Sequence, residues 1–139
     1  MTSAGSTVGP GPSDGPGGGV YEWYRRGLDL LSQGNAAAAA QLLDRAADAE
    51  PESRSVREAL ARAQFDAGRY AEARESFAAI VAVNPTDDYA QFGLGLAATR
   101  TGDLVTAVEH LALAVAMRPE LPHYRRALHG ARAARASGR

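Results

Sequence analysis

Few residues in this 139-residue chain have the types and spacing that chemistry requires. Gly93, Gly95 and Ala98 spell G-x-G-x-x-A, the outline of a turn that cradles a dinucleotide pyrophosphate. Such a turn needs a strand before it and a helix opening after it, whereas these residues fall inside a helical pattern, so a packing role is expected. His110, His123 and His129 invite a metal-site reading, yet no two of them stand at the i, i+4 spacing that puts two imidazoles on one helix face. Solvated or capping roles are expected for all three. The neighbours Asp87 and Asp88 suggest a paired acid and base, but they open a helical pattern, where carboxylates interact well with the helix dipole. The chain has no cysteine and no lysine. Disulfides and cysteine-based metal or redox sites are therefore excluded, and a phosphate loop ending in lysine is absent. No serine-centred nucleophile motif is present either. The residues point to a protein that is not an enzyme, with no metal and no cofactor.

Charge is the next chemical feature. Fifteen basic and sixteen acidic side chains give a net charge of -1, so no global field draws the chain onto nucleic acid or membrane. Every basic residue is arginine, a group suited to bidentate contacts with carboxylates or phosphates, although Ala, Gly and Arg abundance also follows from coding composition. The charges are unevenly spread. Residues 118–139 hold six Arg and one acid, Glu120, which is +5 and leaves -6 for the rest. That end offers a contact for RNA, an acidic membrane surface or an acidic partner; the plainer reading is a solvated cap.

These side chains must be positioned by some scaffold, and composition divides the chain in two. Residues 1–19 contain seven Gly, three Pro and three Ser. Such a stretch cannot bury enough apolar surface to offset its ordering entropy, so a flexible tail is expected, followed by about 120 foldable residues. There is no apolar run long enough to span a membrane and no basic-then-apolar N-terminal signal, and the cysteine-free composition fits a cytoplasmic location.

The foldable part repeats itself. Pro51, Pro85 and Pro119 are spaced by 34 residues, and Gly34, Gly68 and Gly102 keep the same step. So do Ala39, Ala73 and Ala107, the larger set Leu43, Phe77 and Leu111, and the set Ala46, Ile80 and Ala114. Gly27, Ala61 and Gly95 are in register, as are Leu60, Leu94 and Leu128. Within each period the apolar spacing is helical and interrupted once. The first unit reads as a helix over Tyr21–Gln33 stopped by Gly34, then a second helix to about Ala49 with Asn35 as N-cap and Pro51 ending it. The same pattern predicts helices over Arg54–Ala67 and Tyr70–Val83, then Thr86–Thr101 and Leu104–Met117, with Asp103 as a further N-cap. Nothing alternates like a half-buried strand, so the fold class is all-α. Antiparallel helices approach closely only over small side chains, so Gly27 should face Ala39, Ala61 face Ala73 and Gly95 face Ala107. Leu43, Phe77 and Leu111 should fill the space between one helix pair and the next.

The set Trp23, Gly27, Gly34, Ala39, Leu43, Ala46 and Pro51, with its two echoes, resembles the tetratricopeptide repeat, a 34-residue helix-turn-helix unit. The resemblance covers residues 20–121. Arg57 and Gln91 replace the early tryptophan in the later units, and the aromatic usual early in the second helix survives only as Tyr70, with Ala36 and Leu104 at its other positions. It implies a right-handed α-solenoid of three units, 20–53, 54–87 and 88–121, closed by a capping helix within 122–139. That helix should run from Pro122 to about Ala136, with Arg125, Arg126, Arg132 and Arg135 on its outer face.

The resemblance also implies a function. In the family the first helices of successive units line a concave face that binds peptides. Here that lining comprises Tyr21, Tyr24 and Leu28 with Ser32, then Glu58, Arg62 and Asp66 with Ser55, then Tyr89, Phe92, Leu96 and Arg100, and Arg126 with His123 from the last helix. The implied groove has apolar contacts and cationic points at Arg62, Arg100 and Arg126, suited to a partner protein or peptide with acidic and apolar character. The Lys/Asn set with which some members clamp a terminal carboxylate is absent, since Tyr24, Leu28, Ala59, Tyr89 and Gly93 hold those places. The expected role is a protein-protein interaction scaffold. The alternatives are self-association into a homo-oligomer and contact with RNA or an acidic partner through the arginine-rich end.

Overall fold

The computed structural model describes residues 19–138; the expected tail, apart from Gly19, lies outside the described residues. Seven helices follow one another: α1 Val20–Ser32, α2 Ala36–Ala49, α3 Arg54–Asp66, α4 Tyr70–Val83, α5 Asp88–Arg100, α6 Leu104–Met117 and α7 Pro122–Gly138. They agree with the sequence pattern within one or two residues. Among the described residues there is no strand, and no helix is long and apolar enough to cross a membrane.

The three glycines of the 34-residue step have one job. Gly34, Gly68 and Gly102 have φ of 83°, 82° and 85°, a left-handed conformation that only glycine adopts without strain. Each closes the same motif. Asn35, Arg69 and Asp103 donate their backbone N–H groups to the carbonyls of Leu30, Gln64 and Ala98, at 2.8, 2.8 and 2.9 Å. These bonds satisfy orphaned helix carbonyls and turn the chain back antiparallel. The longer connections are capped from the other side: Ser53 and Asp87 accept from the backbone N–H groups of Val56 and Ala90, and Asp103 caps α6 in the same way, from Thr106, at the end of the Gly102 turn. Asp87 explains why α5 begins at Asp88 rather than Thr86, since an extended capping residue cannot itself be helical. Asn35 occupies the N-cap position of α2, but its side chain makes no capping bond.

Packing corrects the expected small-on-small pairing. A Cβ placed on Gly27 would lie 2.6 Å from Cγ of Leu43, and one on Gly95 would lie 2.6 Å from Cγ of Leu111. The glycines thus make room for the leucine one turn beyond Ala39 and Ala107, because only a branched side chain reaches across to the facing backbone. Leu43 and Leu111 are completely buried, as are Ala39, Ala61, Ala73 and Ala107.

The core falls into successive clusters, around Leu43 and Leu60, around Phe77 and Leu94, and around Leu111 and Leu128. Each helix packs mainly on its neighbours in sequence, as a stack of hairpins must. Contacts between alternate helices join α1 to α3, α3 to α5 and α5 to α7. The odd-numbered helices are therefore the closely spaced set, and their shared face is the inner, concave one.

Candidate functional site

On that inner face α3 lies between α1 and α5, and two cavities adjoin there. The first, of about 180 Å³, is lined by Tyr24 and Leu28 of α1, Ser55, Glu58, Ala59 and Arg62 of α3, and Tyr89 of α5. The second, of about 160 Å³, is lined by Arg62, Phe65 and Asp66 of α3, Phe77 of α4, and Tyr89, Phe92, Gly93 and Leu96 of α5. Arg62 and Tyr89 belong to both and separate a mixed polar compartment from an aromatic one. Arg62 reaches Asp66 at 3.8 Å, one turn along the helix, and both side chains are about half exposed. Tyr89 stands edge-on to the buried Phe77, with ring centres 5.9 Å apart, and burial raises its phenol pKa.

The polar compartment has an unusual charge arrangement. Asp87 spends Oδ1 on the Ala90 N–H, and its buried Oδ2 has no hydrogen-bond partner among the described residues. Glu58 faces it. Burial first, and then the adjacent Asp87 carboxylate, push the Glu58 carboxyl up to about 7, while Arg54 works in the opposite direction. Below that pH a neutral Glu58 has a proton to offer Asp87, so the two carboxyl groups meet beside the polar compartment without two full charges.

Other expected lining residues have separate partners. Arg100 is held in an aromatic clamp, its guanidinium 5.3 Å from the Phe65 ring centre and 5.1 Å from that of Tyr70, while Nη1 donates to the Tyr70 hydroxyl at 2.7 Å. It ties the start of α4 to the end of α5 and does not line either cavity. Phe92 lines the aromatic cavity, yet its face stacks on Tyr124 of α7 at 4.4 Å, with His123 edge-on at 5.3 Å. Tyr21 is 66% exposed at the edge and takes a bond from Arg25. Arg126 sits with Pro122, Arg125, His129 and Gly130 around a separate shallow cavity on α7. Tyr24, Leu28, Glu58, Arg62, Asp66, Tyr89, Phe92 and Leu96 are thus brought together; Tyr21, Arg100 and Arg126 are not part of that cluster.

Residues considered for chemistry fall where packing places them. Gly93 and Gly95 lie in mid-helix, covered by the Phe77 ring and the Leu111 side chain. His110 Nδ1 is 2.7 Å from Gln91 Oε1, and no cluster of metal-ligating side chains occurs among the described residues. Asp88 accepts from the Tyr124 hydroxyl at 2.6 Å, which ties α7 to α5; burial first, and then this bond, raises the tyrosine pKa. Sequence reasoning placed Gly93 in the groove only as a replacement in the absent Lys/Asn set, and it omitted Phe65 and Phe77. Phe65 is one turn beyond Arg62 on α3, a spacing that would have placed it beside Arg62.

Comparison with known proteins agrees with this geometry. A sequence model of the tetratricopeptide repeat matches residues 24–88 and again 58–122. Among solved structures, the chain is similar to MamA from Desulfovibrio magneticus RS-1, with a TM-score of 0.80 and 23% identity over 84% of this chain and 66% of that one. It therefore spans just under two thirds of that relative. It is also similar to the first TPR of Spaghetti (RPAP3) bound to the HSP90 peptide SRMEEVD, with a TM-score of 0.79 and 21% identity over 85% of this chain and 94% of that one. The first TPR domain of human RPAP3 gives 0.77 at 21% identity, covering 85% and 93%. No curated protein matches the chain in sequence.

Proposed function

The chain belongs to the tetratricopeptide repeat family, and from that premise we propose that it is a non-enzymatic interaction module that binds a partner's peptide segment on the face shared by α1, α3 and α5. The observation that carries this reading is the pair of adjoining cavities divided by Arg62 and Tyr89. One is aromatic and suited to an apolar side chain; the other is polar, and the exposed Arg62 guanidinium between them is a donor for a carboxylate. The partner segment is acidic and apolar. A similar fold holding the peptide SRMEEVD, which has both characters, supports the class of ligand. The absence of the Lys/Asn set argues against the same carboxylate end being read in the same way.

The test is selection of short random peptides displayed on phage against the full chain. Enrichment of sequences with an apolar residue close to an acid, lost on Arg62→Glu, supports the reading. No enrichment, or enriched peptides that bind Arg62→Glu as they bind the parent, removes it.

A further inference from the structure

Helix α7 stands where the first helix of a fourth unit would. In the earlier units, the first helix meets its paired second helix through three register positions. Three of the contacts are polar or cation-π in kind, and two of them share one register position: Trp23 lies under Arg45, and Gln91 meets His110. Gly27 and Gly95 accommodate Leu43 and Leu111, and Gln64 takes a bond from Ser76. Moving 34 residues on from Gln91, Gly95 and Ala98 leads to Arg125, His129 and Arg132 on α7. All three are exposed, and none forms an ion pair with an acid among the described residues. Where earlier units receive a partner helix, α7 presents two arginines flanking a histidine.

The chain carries a surface of opposite sign. Asp44 and Asp48 of α2 and Glu75 of α4 line a cavity of about 290 Å³ together with Arg57, over a floor that includes Ala47, Leu60 and Ala79. Three carboxylates face one guanidinium there, and the exposed Glu50 and Glu52 lie on the adjoining connection. None of these five acids is in an ion pair among the described residues. Spacing matches as well. Arg125 and His129, a guanidinium and a ring that can donate an N–H, are one helical turn apart, as are Asp44 and Asp48, which is about 6 Å in both cases.

We infer that the outward face of α7 docks in the acidic groove between α2 and α4 of a second copy of this chain. The two patches are different surfaces, so the contact is heterologous and leaves one free patch at each end of a pair. Association therefore proceeds as a ladder of sizes rather than stopping at a symmetric dimer, and it is electrostatic in origin.

Sedimentation equilibrium of the full chain tests this. At about 0.05 M salt the weight-average mass rises above the monomer with concentration, and at about 1 M salt, where the Debye length is about 3 Å, it returns to the monomer. Arg125→Glu with Arg132→Glu, and separately Asp44→Arg with Asp48→Arg, each give a monomer at low salt. All four positions are exposed, so both variants keep the parent's cooperative melting. Mixing the two variants restores association, because each supplies the charge the other now needs. A parent that stays monomeric at low salt at every concentration overturns the inference, as do reversed variants that associate like the parent or fail to associate when mixed.

Discussion

The Phe77 ring on α4 lies over Gly93 on α5 so closely that a methyl group on Gly93 would overlap it. Phe77 belongs to the second helix pair and Gly93 to the third, so this contact joins units and also forms one wall of the aromatic cavity. Truncating the buried Phe77 to Ala is expected to cost about 3–5 kcal/mol. Gly93→Ala overpacks the same point and costs about 1–3 kcal/mol. The two are coupled: adding Phe77→Leu to Gly93→Ala should destabilise less than the sum of the single changes, measured by urea unfolding. A Phe77→Ala variant melting within a couple of degrees of the parent would contradict the packing described.

Glu58 and Asp87 give the fold a pH dependence of stated sign. Glu58 is raised from 4.5 to about 7 in the folded chain, so its contribution is fully present below about 4.5 and is lost as pH rises through about 7. Asp103 runs the other way. Its bonds from Thr106 and Arg74 lower it from 3.8 to about 2, so its contribution is present above about 3.8 and lost as pH falls through about 2. The expected melting temperature is higher near pH about 5.5 than near pH about 8, and Glu58→Gln flattens that difference by stabilising the fold at the higher pH. Equal slopes for parent and Glu58→Gln would count against the carboxyl pair.

The two arginines that the sequence placed side by side along α3 and α5 should behave differently, Arg62 lining the groove and Arg100 lying outside it. Arg62 is half exposed and faces the cavities, so Arg62→Ala should change stability by no more than about 0.5 kcal/mol. Arg100 is clamped between Phe65 and Tyr70, and Arg100→Ala should cost about 1 kcal/mol. Thermal melts separate them. Equal destabilisation by both would mean that Arg62 is as structural as Arg100.

Helix α7 is bound by Leu128 and Ala131 against the last cluster, by Tyr124 stacking on Phe92, and by the bond from Tyr124 to Asp88. Leu128→Ala should cost about 2–5 kcal/mol. Removing residues 120–139 should uncover the Leu111 cluster and lower the melting temperature or solubility, with increased binding of an apolar dye. A truncated chain that melts and dissolves like the parent would refute the capping role.

The 34-residue step made the helices and turns legible, because each signal is local and is repeated: a glycine able to adopt positive φ, a proline that ends a helix, apolar residues at helical spacing. The position of each helix on the inner or outer face is what the resemblance to the tetratricopeptide repeat implied, carried over residue by residue. Most of the groove cluster was legible for that reason, from Tyr24 and Leu28 through Arg62 to Tyr89 and Leu96. The fate of Arg100 was not. Its register places it beside the groove, but Tyr70, 30 residues away, supplies both a ring and a hydroxyl that hold it elsewhere.

By itself, then, the sequence determined an all-helical stack, its period, its turn geometry and a charged end. The tertiary structure alone decided which large side chain fills each glycine notch, and that Leu43 rather than Ala39 does so at Gly27. It also decided that Glu58 meets Asp87 across two helices, and that Arg62 and Tyr89 divide the groove into two compartments. The physical reason is common to all three. Backbone conformation follows from short-range sterics and hydrogen bonds, whereas side-chain partners on different helices depend on how far one helix is rotated and shifted on the next. That offset is set by the summed packing of many residues and is written in no single spacing.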